Sequence, residues 1–148
     1  MTAGLRRLLI VEDGHEYEEF VRLFLGTRFE VAVAHDAAEA ARVAAEFSPE
    51  ALLLDLRFER TPAAALEGDA DDLATRRFGG DRARALRHLQ DQQGTVVLAH
   101  LRERGCHVPA LFIHDFPARR LDNLRQLYGD VHAIPSFDAS AMAKVLGA

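Results

Sequence analysis

The chain has 148 residues, a formal net charge of −5 and 49% hydrophobic residues. This length suits a single domain over residues 1–148, and the apolar content is sufficient for a buried core. The acidic balance excludes the strongly basic surface typical of nucleic-acid binding, and no apolar run approaches the length of a membrane span.

Cysteine content and the N-terminal residues bear on the cellular compartment. Cys106 is the only cysteine, so no intrachain disulfide can form. Residues 1–7 lead directly into a predicted strand and lack the pattern of a signal peptide. We therefore expect a cytoplasmic protein.

Strand and helix patterns alternate along the first third of the chain. Short apolar runs predict buried parallel strands, whereas apolar residues at three- and four-residue spacing predict amphipathic helices. The predicted order is a strand at 5–11, a helix at 14–25, a strand at 29–34, a helix at 37–47 and a strand at 51–56.

The middle of the chain, residues 58–93, departs from this alternation. It is far longer than the roughly two to six residues of an ordinary strand-to-helix loop. Aspartates Asp69 and Asp81 precede helical patterns at 73–78 and 82–92, and Gly79-Gly80 separates the two. We predict a helical insertion after the third strand, and its last helix can continue through Gly94 into the next one.

The last third resumes the strand and helix alternation. The patterns predict a helix at 95–104, a strand at 109–113, a helix at 119–128, a strand at 131–134 and a helix at 139–146. Right-handed strand-helix-strand units at this spacing predict a doubly wound α/β fold with a five-stranded parallel sheet.

Acidic residues follow two of the predicted strands. Glu12 and Asp13 come after the first strand, and Asp55 comes within the end of the third. Ligands of open α/β sheets bind beyond the carboxyl ends of the strands, so these carboxylates should share one pocket. Two carboxylates about 4 Å apart repel by roughly 4 kcal/mol near a protein surface, and a Mg²⁺ ion relieves such repulsion.

These features resemble the receiver domain of bacterial response regulators, the CheY-like domains of two-component phosphorelay signalling. The resemblance is carried by Leu8–Asp13 for the acidic pair, Leu52–Leu56 for the third strand, Pro109–His114 for the fourth and Ile134–Pro135 for the end of the fifth. It implies a flavodoxin-like receiver fold and covers most of the chain apart from the predicted insertion.

The resemblance also implies a site and partners. Asp55 would be the phosphoacceptor, and Mg²⁺ would be held by Glu12, Asp13, Asp55 and the backbone carbonyl of Arg57. The implied partners are a histidine kinase or phosphotransfer protein and a downstream protein. The implied role is signalling through protein–protein interaction rather than enzymatic turnover, with neither nucleic acid nor a membrane involved.

Other positions depart from the receiver pattern. Receivers usually end the fourth strand with Thr or Ser, whereas this chain has His114, which can offer one hydrogen bond to a phosphoryl group. The usual lysine before Pro135 is replaced by Ile134, and Val131 stands where a switching Tyr or Phe is usual. Lys144, the only lysine, lies in the last predicted helix.

Two mechanisms follow from this mixture of retained and missing residues. In the first, a stand-alone atypical receiver takes a phosphoryl group on Asp55 and changes its affinity for a partner. In the second, the domain is a phosphorylation-independent pseudo-receiver that acts as a scaffold or adaptor. The insertion at 58–93 would cover the rim of the site, extend a partner surface or form a homodimer contact.

Simpler interpretations of the same residues remain open. Glu12 and Asp13 can serve only as helix N-terminal charges, Asp55 as a turn cap, and His114 as a partly buried polar side chain. Seven scattered histidines and a single cysteine disfavour zinc, and Asp69–Asp72 lacks the closing glutamate of a calcium loop. Arg57 replaces the second aspartate that a haloacid-dehalogenase-like phosphatase requires, and no glycine-rich nucleotide loop follows the first strand.

Overall fold

Five parallel strands form one sheet in the order β2-β1-β3-β4-β5 in the computed structural model, which describes residues 4–147. The predicted single domain spans residues 1–148, and its ends at 1–3 and 148 lie outside the described residues. The strands are β1 (Arg6–Val11), β2 (Phe29–Ala34), β3 (Ala51–Leu54), β4 (Ala110–Ile113) and β5 (Val131–Ile134). This order confirms the predicted doubly wound, flavodoxin-like sheet.

Seven α-helices lie in the described part of the chain. They are α1 (Glu16–Leu25), α2 (Ala37–Phe47), α3 (Ala70–Arg77), α4 (Arg82–Asp91), α5 (Gln93–Glu103), α6 (Ala118–Tyr128) and α7 (Ala139–Leu146), and a 3₁₀ turn spans Ala63–Ala65. Aspartates cap four of these helices through side-chain bonds to backbone N–H groups, which explains where the helices begin; they are Asp36, Asp69, Asp81 and Asp138.

Two apolar cores cover the opposite faces of the sheet. Alternate residues of each strand supply them, so that Leu9 and Val11 of β1 face one core while Leu8 and Ile10 face the other. Helices α1 and α7 complete one core, and α2, α5 and α6 complete the other. No helix within residues 4–147 is long and apolar enough to cross a membrane.

The third strand is shorter than predicted. The apolar run predicts residues 51–56, but the strand ends at Leu54. Asp55 still donates its backbone N–H to the carbonyl of Val11 at 2.9 Å, after which the chain leaves the sheet. Leu56 accepts a bond from the N–H of Gly94 at 2.9 Å instead of pairing with a strand. The apolar run therefore predicts the buried residues correctly, but it continues past the last residue of the strand.

The segment between β3 and α5 is helical, but the predicted continuous helix through Gly94 is wrong. Helix α4 ends at Asp91 and α5 begins at Gln93. At Gln92 the backbone leaves helical geometry, with φ −117° and ψ 12°. Its carbonyl accepts from both the N–H and the hydroxyl of Thr95, at 3.0 and 2.7 Å, and these bonds begin a new helix.

Candidate functional site

The three predicted acidic residues lie at the carboxyl edge of the sheet. Val11 pairs with Leu54, so Glu12 and Asp55 leave neighbouring strands at the same level. Asp13 and Asp55 both line a cleft of about 260 Å³ that opens at this edge. The remaining lining residues are Glu16, Tyr17, Arg57, Glu59 and Arg60.

The surroundings of the cleft raise the pKa of the Asp55 carboxyl. Burial raises its pKa to about 7, and the negative charges of Asp13 and Glu12 add to the effect. The backbone N–H groups of Arg57 and Leu56 oppose the shift without cancelling it. A group that binds here and neutralises these carboxylates is therefore favoured over an empty, doubly ionised pair.

Glu12 has a structural task in addition to its charge. The side chain is fully buried, and its two oxygens accept the backbone N–H groups of Tyr17 at 3.0 Å and Glu18 at 2.8 Å. These bonds satisfy the first turn of α1, which has no side-chain cap from His15. Burial raises the pKa of Glu12. The contacts of Glu12 are thus those of a carboxylate at a helix N-terminus. The role of Glu12 as a metal ligand stays a prediction.

Asp13 and Arg60 connect the two sides of the cleft mouth. The backbone N–H of Arg60 donates to Oδ2 of Asp13 at 2.7 Å, and its guanidinium pairs with Glu16 at 2.8 Å. The hydrogen bond from Arg60 lowers the pKa of Glu16 to about 2. The guanidinium also lies against Gly14, where an added Cβ would come within 2.1 Å of Nη1. The Arg60 guanidinium therefore occupies space beside Gly14 that a larger residue would share with it.

Helix α5 fixes the backbone on the other side of Asp55. A Cβ added to Gly94 would lie 2.1 Å from the carbonyl oxygen of Asp55 and 2.9 Å from Cα of Leu56. Phe58, which is fully buried, donates its backbone N–H to the carbonyl of Gln90 at 2.8 Å. The backbone from Asp55 to Phe58 is therefore held between the sheet and the start of α5.

His114 and Ile134 lie beside the cleft rather than in its lining. His114 donates its backbone N–H to the carbonyl of Ile134 at 2.9 Å, and its ring meets Phe116 edge-on with centroids 4.6 Å apart. Burial lowers the pKa of His114, and the charge of Arg57 lowers it further. The structure therefore places His114 near Arg57, and its predicted contact with a phosphoryl group stays a prediction.

The donor set in the cleft fits Mg²⁺ in a restricted form. Among residues 4–147, no group of three or more histidine, cysteine, aspartate or glutamate side chains is arranged to hold a metal ion. Mg²⁺ commonly uses only one or two carboxylates and keeps several waters. Asp13, Asp55 and the carbonyl of Arg57 would supply that number of ligands, and all three residues line the same cleft.

Four residues of the cleft have no predicted role in the site: Glu16, Tyr17, Glu59 and Arg60. The sequence pattern places Tyr17 only on the apolar face of α1, and it assigns no function to Glu16 or Arg60. Glu16 and Tyr17 open the helix that follows the acidic pair, and this position is a usable signal. Arg60 follows Asp55 by five residues across an irregular segment, so no periodicity could have placed it.

Known proteins resemble this chain in structure. The receiver domain of NtrX from Brucella abortus aligns with a TM-score of 0.64 at 14% identity, over 95% of this chain and 94% of that one. The chemotaxis protein CheY4 of Vibrio cholerae gives 0.61 at 15% identity, over 97% of both chains. The signal receiver domain of a modulated diguanylate cyclase from Desulfovibrio desulfuricans G20 gives 0.60 at 21% identity, over 97% and 91%.

Comparison by sequence gives no match, either to a protein-family model or to a curated protein. The structural alignments nevertheless span nearly the whole of this chain and of its counterparts. The chain therefore has the fold of response regulator receiver domains, as the sequence motifs predicted.

Proposed function

We propose that this chain is an atypical receiver that accepts a phosphoryl group on Asp55 and signals through protein–protein contacts. The observation that carries the proposal is the cleft itself. It pairs the partly buried, high-pKa carboxyl of Asp55 with Asp13 at the carboxyl edge of a receiver-like sheet. The proposed phosphoryl donor is a histidine kinase or phosphotransfer protein, and the effect is a changed affinity for a downstream protein.

The chemistry required of Asp55 is a single displacement at phosphorus. A carboxylate oxygen of Asp55 attacks the phosphorus of a phosphohistidine, and an O–P bond forms as the N–P bond breaks. The bonding electrons leave with the imidazole, which takes up a proton. Bound Mg²⁺, held by Asp13, Asp55 and the carbonyl of Arg57, would neutralise the charge that gathers on the phosphoryl oxygens.

The chain's own residues hold the acceptor in position. Backbone N–H groups of Leu56 and Arg57 stabilise the Asp55 carboxylate, and Gly94 fixes the peptide that carries it. Arg57 and Arg60 line the cleft and supply positive charge close to an incoming anion. Ile134 provides no charge in place of the usual lysine, so we expect acceptance to survive better than the usual coupling to the fifth strand.

Reaction with a small phosphoryl donor tests the proposal. The wild-type protein is incubated with Mg²⁺ and acetyl phosphate, and intact mass is followed with time. We expect a gain of one phosphoryl group that requires Mg²⁺. Asp55→Asn should show no gain, and Asp13→Asn should slow it by about tenfold or more. The matched control is Glu59→Gln, which removes a carboxylate of the same cleft and should keep the reaction.

Two outcomes would contradict the proposal. The first is no mass gain in the wild-type protein under conditions where a known receiver reacts. The second is an equal gain in Asp55→Asn, which would place the modification on another residue. The first result would leave the phosphorylation-independent scaffold as the better account, and the second would reject Asp55 as the acceptor.

A further inference from the structure

Tyr17 brings a partly buried hydroxyl to the lining of the acidic cleft. Its side chain lines the cleft together with Asp55 and Arg60. The hydroxyl donates to the backbone carbonyl of Ile113 at 3.5 Å, which is the weak limit of a hydrogen bond. The hydroxyl also lies within hydrogen-bonding reach of the Asp55 carboxyl, so a group bound to Asp55 would come within its reach.

Arg57 lines the cleft and supplies positive charge, whereas the other side chains near Asp55 are less suited to a bound anion. The guanidinium of Arg60 already pairs with Glu16 at 2.8 Å at the exposed mouth. His114 does not line the cleft, and Ile134 has no donor in its side chain. The phenolic hydroxyl of a tyrosine is an O–H donor at neutral pH, so Tyr17 can supply one hydrogen bond.

The ring of Tyr17 continues the cleft into a row of aromatic side chains. It meets Phe137 edge-on with ring centroids 5.0 Å apart, and Phe137 stacks on Phe20 at 4.7 Å. Phe20 in turn contacts Phe24 at 4.7 Å. Phe137 is 38% exposed and Phe24 is 58% exposed, so the row ends at the surface. The Tyr17 ring is therefore in direct contact with the first ring of this row.

We propose that Tyr17 reads the state of Asp55 and transmits it to the aromatic surface formed by Phe20, Phe24 and Phe137. Its hydroxyl leaves the carbonyl of Ile113 and donates to an oxygen of the phosphoryl group, and its ring repacks Phe137. The inference rests on the proposed function of Asp55. It assigns to helix α1 a donor and a relay in a chain that lacks the usual Thr or Ser at the end of β4 and the usual lysine at the end of β5.

Fluorine NMR tests the contact directly. The chain contains two tyrosines, Tyr17 and Tyr128, so protein labelled with 3-fluorotyrosine gives two signals that Tyr128→Phe assigns. Mg²⁺ and beryllofluoride, a stable mimic of an aspartyl phosphate, are then added. We expect a bound beryllofluoride resonance and a new position for the Tyr17 signal, with the Tyr128 signal unchanged. Asp55→Asn should show neither change.

Removal of the hydroxyl measures its contribution. Tyr17→Phe keeps the ring and its packing on Phe137 but should bind beryllofluoride about tenfold or more weakly, as expected for a lost hydrogen bond to a charged group. Tyr128→Phe is the matched control and should bind like wild type. A fingerprint NMR spectrum verifies that both variants fold.

A tryptophan reporter tests the relay, since the chain has no native tryptophan. In Phe24→Trp, emission should change when beryllofluoride binds, and this change should be lost when Tyr17→Phe is added. A bound beryllofluoride signal with an unmoved Tyr17 signal, an unchanged affinity in Tyr17→Phe, or unchanged emission from the Phe24→Trp variant would overturn the inference. Absence of any bound beryllofluoride in the wild-type protein would overturn the proposed function, and the inference with it.

Discussion

At the scale of single residues, the raised pKa of Asp55 means that ionisation of this carboxyl makes the folded protein less stable. Its carboxyl has an ordinary pKa of 3.8 and a pKa of about 7 in the folded chain. Between these values the folded state holds more protons than the unfolded state, so the free energy of unfolding falls as pH rises from about 4 to about 7. Asp55→Asn removes this penalty. We expect the variant to exceed wild type by about 1–2 kcal/mol at pH 8, with the partial solvent exposure of the cleft discounted.

Urea unfolding in EDTA at pH 5 and pH 8 measures the Asp55 effect. The two proteins should differ less at pH 5, where only the unfolded state has begun to lose the Asp55 proton, and the difference should widen by pH 8. Mg²⁺ should then raise the stability of wild type at pH 8 and leave Asp55→Asn unaffected. Glu59→Gln is the control for loss of a carboxylate at this edge. A constant difference at both pH values would contradict the assigned pKa.

The same scale explains why the sequence predicted the acidic cluster but not its surroundings. Strand ends in a parallel sheet meet at one edge, so Asp13 and Asp55 could be placed together from two short motifs. The hydrogen bonds of Glu12 to the N–H groups of α1 depend on the exact path of the turn at residues 13–15. The reach of Arg60 to Glu16 depends on an irregular loop, for which sequence carries no periodic signal.

At the scale of secondary-structure elements, apolar runs located the strands but not their ends. Leu56 continues the apolar run of β3 and is 4% exposed, yet it bonds to Gly94 of α5 rather than to a neighbouring strand. Burial against a helix and burial in a ladder give the same pattern in sequence. The break at Gln92 escapes prediction for a related reason, because its neighbours all have acceptable helix propensity and tertiary bonds impose the turn.

Gly94 shows how one helix determines the geometry of the acidic loop. In Gly94→Ala the new methyl group meets the backbone of Asp55 and Leu56 at 2.1 and 2.9 Å, and backbone cannot rotate away as a side chain can. We expect a loss of about 1–3 kcal/mol in the free energy of unfolding from this overpacking, although alanine is the better helix former. Denaturant unfolding measures the stability, and beryllofluoride binding should weaken in parallel because the carbonyl of Asp55 is displaced.

Ala99→Gly supplies the matched control in the same helix. It reverses the substitution at a half-buried position and should cost about 1 kcal/mol from helix propensity alone. If Gly94→Ala instead stabilised the protein by a similar amount, the close approach of α5 to Asp55 would be wrong.

At the scale of the whole molecule, the helical segment between β3 and α5 belongs to the core rather than lying outside it. Phe58 is fully buried in the core shared with α2, α5 and α6. The side chain of Gln93, also fully buried, bonds to both the N–H and the carbonyl of Glu67 and to the carbonyl of Leu89. The sequence pattern indicated that the segment was helical. It could not predict these hydrogen bonds of Gln93, because they depend on how distant parts of the chain pack together.

Because the segment between β3 and α5 belongs to the core, a substitution within it should lower the stability of the whole domain. Phe58→Ala should lower the free energy of unfolding by about 3–5 kcal/mol, because it removes a large side chain from a closed core. Phe24→Ala, which removes the same side chain from a position 58% exposed, should change it by only about 0.5 kcal/mol. Circular dichroism and hydrogen exchange during urea unfolding should report one transition for sheet and helices together. If Phe58→Ala instead melted residues 58–92 while the sheet amides stayed protected, the segment would be a separately folding appendage, and its removal would be the right test of a partner surface.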